Sequence, residues 1–206
     1  MDLNKVYVYR MTHIENIPHI IQNGITHKNS ANSNPNYKVI GDNSLISSRD
    51  ILKTPIGKKL GDYIPFYFGM RTPMLYVIQN GFNGVNTLSP EKIVYCVTSL
   101  KKILDSNLRF VYTDGHATDS FTKFYTPQDL LEIEDQIDFT ATNAKYWIKD
   151  DDLDFKRRKE AELLIEEDIP FETFLGFITY NENSRSKISE FGIEDKKIVI
   201  KSNYYF

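Results

Sequence analysis

Four separated polar segments contain residue types that a hydrophobic core would not require. The first, YRMTH (Tyr9–His13), ends a predicted strand and leads into a predicted helix that carries His19, with His27 beyond it. A strand end that delivers Arg, Thr and His to a helix N-terminus can hold an anion or a nucleotide. Alternatively, these residues only cap the helix and solvate the end of the strand.

The second and third segments carry arginines. Arg49 follows the apolar pair Leu45–Ile46 in SLISSR, where it could equally form a surface ion pair. In DYIPFYFGMRTPML, Arg71 and Tyr63 share a stretch rich in Gly and Pro with three further aromatic residues. Aromatic rings beside an arginine suit the stacking of bases in single-stranded nucleic acid, although core packing explains the phenylalanines equally well.

The fourth segment, VYTDGHATDSFTKFY, places His116 on a predicted turn at Asp114–Gly115 among small polar residues. Such a histidine suits proton transfer or ligand contact as well as simple exposure. A separate stretch, KRRKEAELLIEED (Lys156–Asp168), packs four basic residues against five acids around a short apolar run. Runs of this kind usually mark a solvated helix face, and composition alone does not single out one of the glutamates.

Predicted strands and helices would position these segments. Alternation in KVYVYRMT predicts a strand, and Asn16 and Gly24 are the expected caps of the helix that follows. β-branched and aromatic content predicts strands near Phe66–Phe68 and in LYVIQNG, EKIVYCVTSL, RFVYTDG, FLGFITYNE and KIVIKS. Residues 26–44 predict a long loop, and the stretch between His116 and Lys156 predicts loop and short helix. The pattern indicates one mixed α/β domain on a mainly antiparallel sheet.

Composition limits the class of protein. The 206 residues carry a net charge of -3, which argues against a broad basic surface for duplex DNA but not against a local basic groove. The single cysteine, Cys96, excludes an internal disulfide and suits a reducing cytosol. No stretch is apolar enough for a signal peptide or a membrane span, so we expect a soluble cytoplasmic protein with no membrane partner. The histidines lack paired ligand spacing, so no metal site is predicted, and no Rossmann or P-loop motif is present.

The order of these segments resembles the DarT family, the toxins of bacterial DarT–DarG toxin–antitoxin pairs. The resemblance is carried, in order and over nearly the whole chain, by YRMTHIENIPHIIQNGI, IGDNSLISSR, GDYIPFYFGMRTPMLYVI, EKIVYCVTSL, FVYTDGHA, KEAELLI and the closing YYF. It implies one domain over residues 1–206 with the α+β fold of ADP-ribosyltransferases, a split, mainly antiparallel sheet of about six strands with flanking helices. It also implies a long substrate-reading loop at roughly residues 113–158.

The implied activity is NAD-dependent transfer of ADP-ribose to a base, thymine or guanine, in a short sequence context of single-stranded DNA. Nicotinamide would be released and DNA replication blocked. The implied partners are single-stranded DNA and the macrodomain antitoxin DarG, which reverses the modification, and we expect a monomer. The alternatives are an RNA or protein acceptor or NAD hydrolysis by the same fold, or a non-catalytic module that binds single-stranded nucleic acid.

The resemblance also implies roles for individual residues. Glu162, in AELL at a predicted strand start, matches the catalytic glutamate of the family, and Arg49 matches its catalytic arginine. Because cleavage of the nicotinamide–ribose bond passes through an oxocarbenium-like state, a nearby carboxylate can stabilise the charge while an arginine clamps the pyrophosphate. His116 is a further candidate for proton handling. The implied binding residues are, for NAD, Arg10, Met11, Thr12, His13, His19, His27 and Arg49, and, for DNA, Arg71, Tyr63, Phe121, Tyr125, Lys145 and Trp147.

Two details of the charged and arginine-bearing stretches complete these expectations. Asp50 stands where the family often has a second basic residue after the catalytic arginine. Lys156–Glu160 are expected to be a solvated approach to the strand that begins near Ala161, with Glu160 as an ordinary surface acid.

Overall fold

The computed structural model describes residues 1–206 as a single eight-stranded sheet with helices on both faces. The strands are β1 (Tyr7–His13), β2 (Ile64–Tyr67), β3 (Ile93–Ser99), β4 (Phe110–Thr113), β5 (Phe124–Tyr125), β6 (Glu162–Ile165), β7 (Gly176–Thr179) and β8 (Ile198–Ile200). The helices are α1 (Ile17–Asn23), α2 (Asn43–Arg49), α3 (Pro73–Asn80), α4 (Leu100–Asp105), α5 (Ile133–Gln136), α6 (Phe139–Asn143), α7 (Phe155–Lys159) and α8 (Glu182–Glu190). The longest of them has nine residues, and none is long and apolar enough to cross a lipid bilayer.

The strand order is β5-β4-β6-β2-β1-β3-β7-β8, and every neighbouring pair is antiparallel except β7 and β8. The predicted α+β class with a mainly antiparallel sheet is therefore confirmed. The expected number of about six strands is wrong, because short strands lie at both edges of the sheet. Strand β5 has only two residues, too few to show an alternating pattern in the sequence.

The sheet is nearly divided between β1 and β2. Along its other edge β1 pairs with β3 over seven consecutive residues, from Tyr7 to His13. Against β2 it is in register at a single pair, Tyr9 with Tyr67. Beyond that pair, Arg10 reaches across and donates from Nη1 to the Pro65 carbonyl at 2.8 Å. This β1–β2 junction is the place where the sheet is split, as the family resemblance implies.

Alternation along β1 sends its side chains to two different cores. Val8, together with Val6 just before the strand, joins the larger core, which packs the sheet against α1, α4 and α8. Tyr9 and Met11 point to the opposite face, where they pack with residues of α3 and with Tyr205, the second-last residue of the chain. Both faces are therefore covered, and the positions where β1 leaves β2 lie at the edge of the smaller core.

The predicted strand in LYVIQNG is wrong, because these residues belong to α3. The Thr72 hydroxyl accepts from the Leu75 N–H at 3.3 Å, Pro73 occupies the first turn, and Gly81 ends the helix at φ 72°. Together these residues form an N-cap, a first-turn proline and a left-handed C-cap, which outweigh the β propensity of the residues between them. The predicted caps of α1 are confirmed, because the helix begins after Asn16 and ends at Gly24.

Candidate active site

Arg49 and Glu162 form an ion pair at the centre of the molecule. Arg49 is the last residue of α2, and Glu162 is the first residue of β6. The two guanidinium nitrogens Nη1 and Nη2 donate to Oε1 at 3.3 Å and to Oε2 at 2.9 Å. The Glu162 side chain is 0% exposed and that of Arg49 is 13% exposed. The two residues, 113 positions apart in the chain, therefore meet in a bidentate contact that is almost fully buried.

The backbone around Glu162 fixes the position of its carboxylate. Its N–H donates to the Thr113 hydroxyl at 3.1 Å, and that hydroxyl donates to the Gly115 carbonyl at 2.7 Å. The Ala117 N–H donates to Glu162 Oε1 at 3.0 Å. Strand β6 is paired on both sides, with β2 and with β4, so the residue that begins it is held rigidly.

The surroundings of Glu162 keep its carboxylate ionised. Burial alone raises its pKa, but the Arg49 charge, His116 and the hydrogen bonds from Arg49 and Ala117 lower the pKa further than burial raises it. The net pKa is below the ordinary glutamate value. For Arg49, burial lowers the pKa, but the Glu162 carboxylate raises it more, so the guanidinium stays protonated. The site thus contains a stable anion and a stable cation in contact.

Through Arg49, the ion pair borders a cavity of about 410 Å³ at the β1–β2 junction, and Glu162 itself is not one of the wall residues. Its wall includes residues of β1, β2, α2 and α3 and of the 26–44 stretch, which has no strand and no helix until α2 begins at Asn43. The predicted site residues that line it are Arg10, Met11, His27, Arg49, Tyr63 and His116. The cavity therefore collects residues from four of the five polar stretches that the sequence singles out.

Three of the residues expected to bind NAD lie outside this cavity. Thr12 is buried and its hydroxyl accepts from the Asn16 side chain at 3.0 Å. His13 caps the turn that follows β1, because its Nδ1 accepts from the Glu15 N–H at 3.1 Å. His19 contacts the Thr26 hydroxyl at 3.3 Å from the exposed side of α1. The side chains of Thr12 and His13 are engaged with residues that follow β1, and that of His19 with Thr26, so their role in NAD binding stays a prediction.

His27 lines the cavity, and both nitrogens of its imidazole ring have a hydrogen-bond partner. Its Nε2 lies 2.7 Å from the Gly61 carbonyl, and its Nδ1 accepts from the Asn29 N–H at 3.2 Å. A carbonyl can only accept, so Nε2 carries the proton. The His27 N–H donates to Asp168 Oδ1 at 2.7 Å. Asp168 therefore anchors the start of the loop that covers the cavity.

The residues expected to contact DNA differ in their surroundings. Phe121 is 81% exposed, and the Lys145 ammonium lies 5.1 Å from the ring of neighbouring Tyr146. Tyr125 stacks on Tyr112 in the sheet at 5.3 Å.

Arg71 and Trp147 contact the C-terminus instead of a groove. Arg71 donates from Nη1 to the Asn203 carbonyl at 2.8 Å and lies 4.6 Å from the centre of the Phe206 ring. Trp147 packs edge-to-face on Phe206 and Tyr76. Their sequence neighbours gave no sign of this, because the last four residues of the chain supply the partners. The expected contacts of Arg71 and Trp147 with DNA stay a prediction.

The end of the charged run is buried, which contradicts the expected solvated approach. Lys159 is 0% exposed, and its ammonium donates to the carbonyls of Met70 (3.5 Å), Thr142 (3.3 Å) and Ala144. Glu160 is only 8% exposed. Helix α7 is a five-residue helix that packs on α6, so its last residues turn inward before β6 begins. Charge alone did not reveal this, because burial here depends on contacts with the distant 142–144 segment.

The 113–158 segment is tied down by ion pairs along its length. Arg157 donates to Asp114 at 2.7 Å and to Asp154 at 2.6 Å. Arg158 donates to Asp152 at 2.6 Å and to Asp138 at 3.0 Å. In the sequence, Arg157 and Arg158 are only part of a run of charges. In the structure, their ion pairs connect the two ends and the middle of the segment.

Comparison with known proteins agrees with the geometry. The family model described as "ssDNA thymidine ADP-ribosyltransferase, DarT" matches residues 9–206. A DNA ADP-ribosyl transferase of Escherichia coli O127:H6 is 33% identical over 208 residues, which cover 98% of this chain and 94% of the relative. Thermus sp. 2.9 DarT, solved in complex with ADP-ribosylated ssDNA, superposes with a TM-score of 0.84 at 25% identity over 98% of this chain and 96% of that one.

Two further comparisons bear on the ligand and on a partner. The same Thermus protein has been solved in complex with NAD⁺, with a TM-score of 0.80, 25% identity and 98% of each chain covered. A DNA ADP-ribosyl transferase-DNA ADP-ribosyl glycohydrolase fusion protein of Thermosipho africanus is 28% identical over 159 residues, 77% of this chain and 38% of the fusion. The family model spans nearly the whole chain and the E. coli relative exceeds 30% identity over almost all of it. The chain therefore belongs to the DarT family.

Proposed function

We propose that this protein transfers ADP-ribose from NAD to a base in single-stranded DNA and releases nicotinamide. The observation that carries the proposal is the Arg49–Glu162 ion pair, held rigidly beside a cavity at the split of the sheet. A module that only bound nucleic acid would have no use for a buried, ionised carboxylate at that position. Members of the same family have been solved with NAD⁺ and with ADP-ribosylated ssDNA, which supports both substrates.

The cavity suits NAD in size and character. Its volume of about 410 Å³ falls within the usual range for small-molecule sites, roughly 300–1,000 Å³, and its wall mixes apolar side chains with a few polar ones. Among the residues implied for NAD, Arg10, Met11, His27 and Arg49 line it. We assign NAD binding to these four residues. Thr12, His13 and His19 would act only by shaping the strand end and helix.

Glu162 supplies the main electrostatic contribution. When the nicotinamide–ribose bond breaks, positive charge develops on the sugar, and a fixed anion in a dry site stabilises that charge more than it stabilises neutral ground-state groups. The lowered pKa of Glu162, which burial opposes and the Arg49 charge brings about, ensures that the anion is present at neutral pH. Because β6 is paired on both sides, the carboxylate needs little reorganisation during the reaction.

Arg49 acts by position and charge. Its pKa, lowered by burial but raised further by Glu162, lies above the ordinary arginine value, so the guanidinium remains a donor and does not serve as a base. A planar guanidinium can hold a carboxylate and present remaining N–H groups to a phosphate. We therefore assign Arg49 to orienting Glu162 and binding the pyrophosphate.

His116 is the candidate for proton handling. It lines the cavity, and its Nδ1 lies 2.6 Å from the Thr118 hydroxyl, which orients the ring. Its backbone N–H donates to the Arg157 carbonyl at 3.0 Å, so the turn that carries it is anchored to the end of the 113–158 segment. We propose that this segment reads the DNA and that the whole chain, residues 1–206, works as one domain and as a monomer.

The biological role follows from the family. We propose that the protein is the toxin of a toxin–antitoxin pair, that its modification blocks DNA replication, and that a macrodomain antitoxin of the DarG type removes it. The Thermosipho fusion of a transferase with a glycohydrolase supports that pairing. NAD and single-stranded DNA meet in the bacterial cytoplasm, which is where we place the enzyme.

The decisive experiment is incubation of the protein with NAD and a mixture of single-stranded oligonucleotides, followed by mass spectrometry. We expect an ADP-ribose adduct on DNA, and thymine is the expected base because the matching family description names thymidine. A set of oligonucleotides that each lack one base identifies the acceptor and separates thymine from guanine. Adducts on RNA or protein with none on DNA, or nicotinamide release without any adduct, would overturn the DNA assignment.

A further inference from the structure

Asn16 is buried, and its side chain makes no hydrogen bond to the helix that follows it. It is 1% exposed, and its amide is not bonded to the first turn of α1. Instead the amide pairs with the backbone of Lys38 at two points: Oδ1 accepts from the Lys38 N–H at 2.8 Å, and Nδ2 donates to the Lys38 carbonyl at 2.9 Å. Nδ2 also donates to the Thr12 hydroxyl at 3.0 Å. Because the oxygen and both donors of the amide are engaged, its orientation is fixed.

Lys38 lies in the second half of the 26–44 stretch, between two residues of the cavity wall. Tyr37 and Val39 both line the cavity, yet they are 42% and 54% exposed. A dinucleotide bound in the cavity would cover part of this apolar surface, which is favourable because the surface leaves contact with water. The position of the Lys38 backbone therefore decides how closely Tyr37 and Val39 approach the ligand.

This half of the stretch has no other hydrogen bond to the rest of the protein. Apart from the two bonds with Asn16, residues 34–41 form only internal hydrogen bonds. The ion pair of Lys38 with Glu15 is 4.0 Å long, and both side chains are more than half exposed, so it contributes little. The first half of the stretch is anchored separately, at Asp168.

We propose that Asn16 is a positioning residue for NAD binding. Its amide holds the second half of the 26–44 stretch against the protein, so that Tyr37 and Val39 close on the dinucleotide. This proposal rests on the proposed function and adds a residue that shapes the NAD site without contacting the ligand. Asn16 does not line the cavity, and no hydrogen bond joins it to the Arg49–Glu162 pair. Its loss should therefore weaken NAD binding and spare the chemical step.

Two variants test the pairing from its two sides. Asn16→Leu fills about the same space and removes both hydrogen bonds from the side of the buried amide. Lys38→Pro removes the N–H that donates to Asn16, at an exposed position that does not belong to the core. Lys38→Ala is the matched control for the second variant, because alanine removes the lysine side chain and keeps both backbone groups.

The readout is the Kd for a non-cleavable NAD analogue by calorimetry, together with KM for NAD and kcat at saturating NAD and DNA. We expect Asn16→Leu to raise Kd and KM about tenfold, and Lys38→Pro to raise them about threefold or more, with kcat within about twofold of the wild type. Lys38→Ala should match the wild type. The double variant Asn16→Leu/Lys38→Pro should bind no more weakly than Asn16→Leu alone, because both changes remove the same contact.

Asn181→Ala separates positioning from a general loss of stability. Asn181 caps α8, where its Oδ1 accepts from the Ser184 N–H at 3.0 Å, and it does not line the cavity. This variant should lower Tm and leave the Kd for the analogue unchanged. Hydrogen exchange measured by mass spectrometry should be faster in residues 34–41 of Asn16→Leu and unaltered there in Asn181→Ala.

The inference fails if Asn16→Leu binds the analogue like the wild type, whatever its kcat. It also fails if Lys38→Ala is as impaired as Lys38→Pro, or if the effects of Asn16→Leu and Lys38→Pro multiply in the double variant. Should Asn16→Leu not fold, the comparison of Lys38→Pro with Lys38→Ala decides. These outcomes leave the proposed function intact. A wild type that neither binds the analogue nor forms a DNA adduct overturns the proposed function, and this inference with it.

Discussion

Replacing Arg49 by methionine should destabilise the protein strongly at neutral pH. Glu162 is 0% exposed, and Arg49 donates both hydrogen bonds that reach it from a side chain. Methionine fills similar space but leaves the carboxylate with a single donor, the Ala117 N–H at 3.0 Å. Removing one partner of a buried ion pair costs about 3–5 kcal/mol of unfolding free energy, because the remaining charge is left buried.

The loss should depend on pH in a defined direction. In the wild type the pKa of Glu162 is raised by burial and lowered more by Arg49, so the folded state binds fewer protons than the unfolded state. This stabilisation is present above the unfolded pKa of about 4.3 and is lost as pH falls through the folded pKa. In Arg49→Met we expect burial to dominate and raise the pKa. The destabilisation by the buried, unpaired carboxylate is then present above that raised pKa and vanishes as pH falls. The difference in unfolding free energy between the variant and the wild type therefore narrows in acid.

Urea unfolding at about pH 7.5 and about pH 5 measures both effects. The only tryptophan, Trp147, packs against Tyr76 and Phe206, so its fluorescence reports on unfolding. Arg185→Met is the control, because the Arg185–Glu182 pair lies at the surface and should contribute less than about 1 kcal/mol. A variant as stable as that control at neutral pH, or a gap that does not narrow in acid, would refute the account of the Arg49–Glu162 pair.

Three further substitutions test other parts of the structure. Glu162→Gln keeps the shape of the site but removes the anion, so ADP-ribose transfer measured by mass spectrometry should fall about 100-fold or more while the NAD-induced rise in Tm persists. Lys159→Met should alter the pH dependence of the unfolding free energy in the alkaline range. Burial and Arg71 lower the pKa of Lys159 to about 8, below its unfolded value of about 10.4. Between these two pH values the folded state binds fewer protons than the unfolded state, so the unfolding free energy of the wild type rises with pH. Urea unfolding at about pH 8 and pH 10 should show that the variant lacks this contribution. Tyr205→Phe removes a hydroxyl placed 3.0 Å from two buried backbone carbonyls and should cost about 1–3 kcal/mol, whereas Tyr204→Phe should be nearly neutral in the same unfolding assay.

The features that follow local rules could be predicted from the sequence. Alternation gave β1, and cap residues gave α1 with its ends at Asn16 and Gly24. Glu162 was also placed correctly at a strand start, but only the family resemblance selected Glu162 and Arg49 from the other charged residues. Residue types state what a side chain can do, and the fold decides which ones meet.

The errors arose where distant contacts decide the outcome. Lys159 and Glu160 have the composition of a solvated run, yet α7 buries them against segments that lie before and within the 113–158 stretch. Arg71 and Trp147 resembled groove residues, yet the last residues of the chain cover them. The error in α3 was different, because its caps, Thr72 and Gly81, were visible in the sequence and should have outweighed the β propensity between them.

The single register pair between β1 and β2 has two consequences: it leaves space for a ligand, and it weakens the sheet at that place. Strands paired along their full length would leave no room for the cavity that Arg10, Met11 and Tyr67 line. The open length forgoes interstrand hydrogen bonds, each contributing about 0.5–1.5 kcal/mol net. The middle of a sheet is normally the slowest region to exchange its amide protons. In this sheet the β1–β2 junction should open and exchange earlier than the strands around it. A dinucleotide that contacts both strands would stabilise this junction. Protection of its amide protons from exchange should therefore rise first at the β1–β2 junction when the dinucleotide binds.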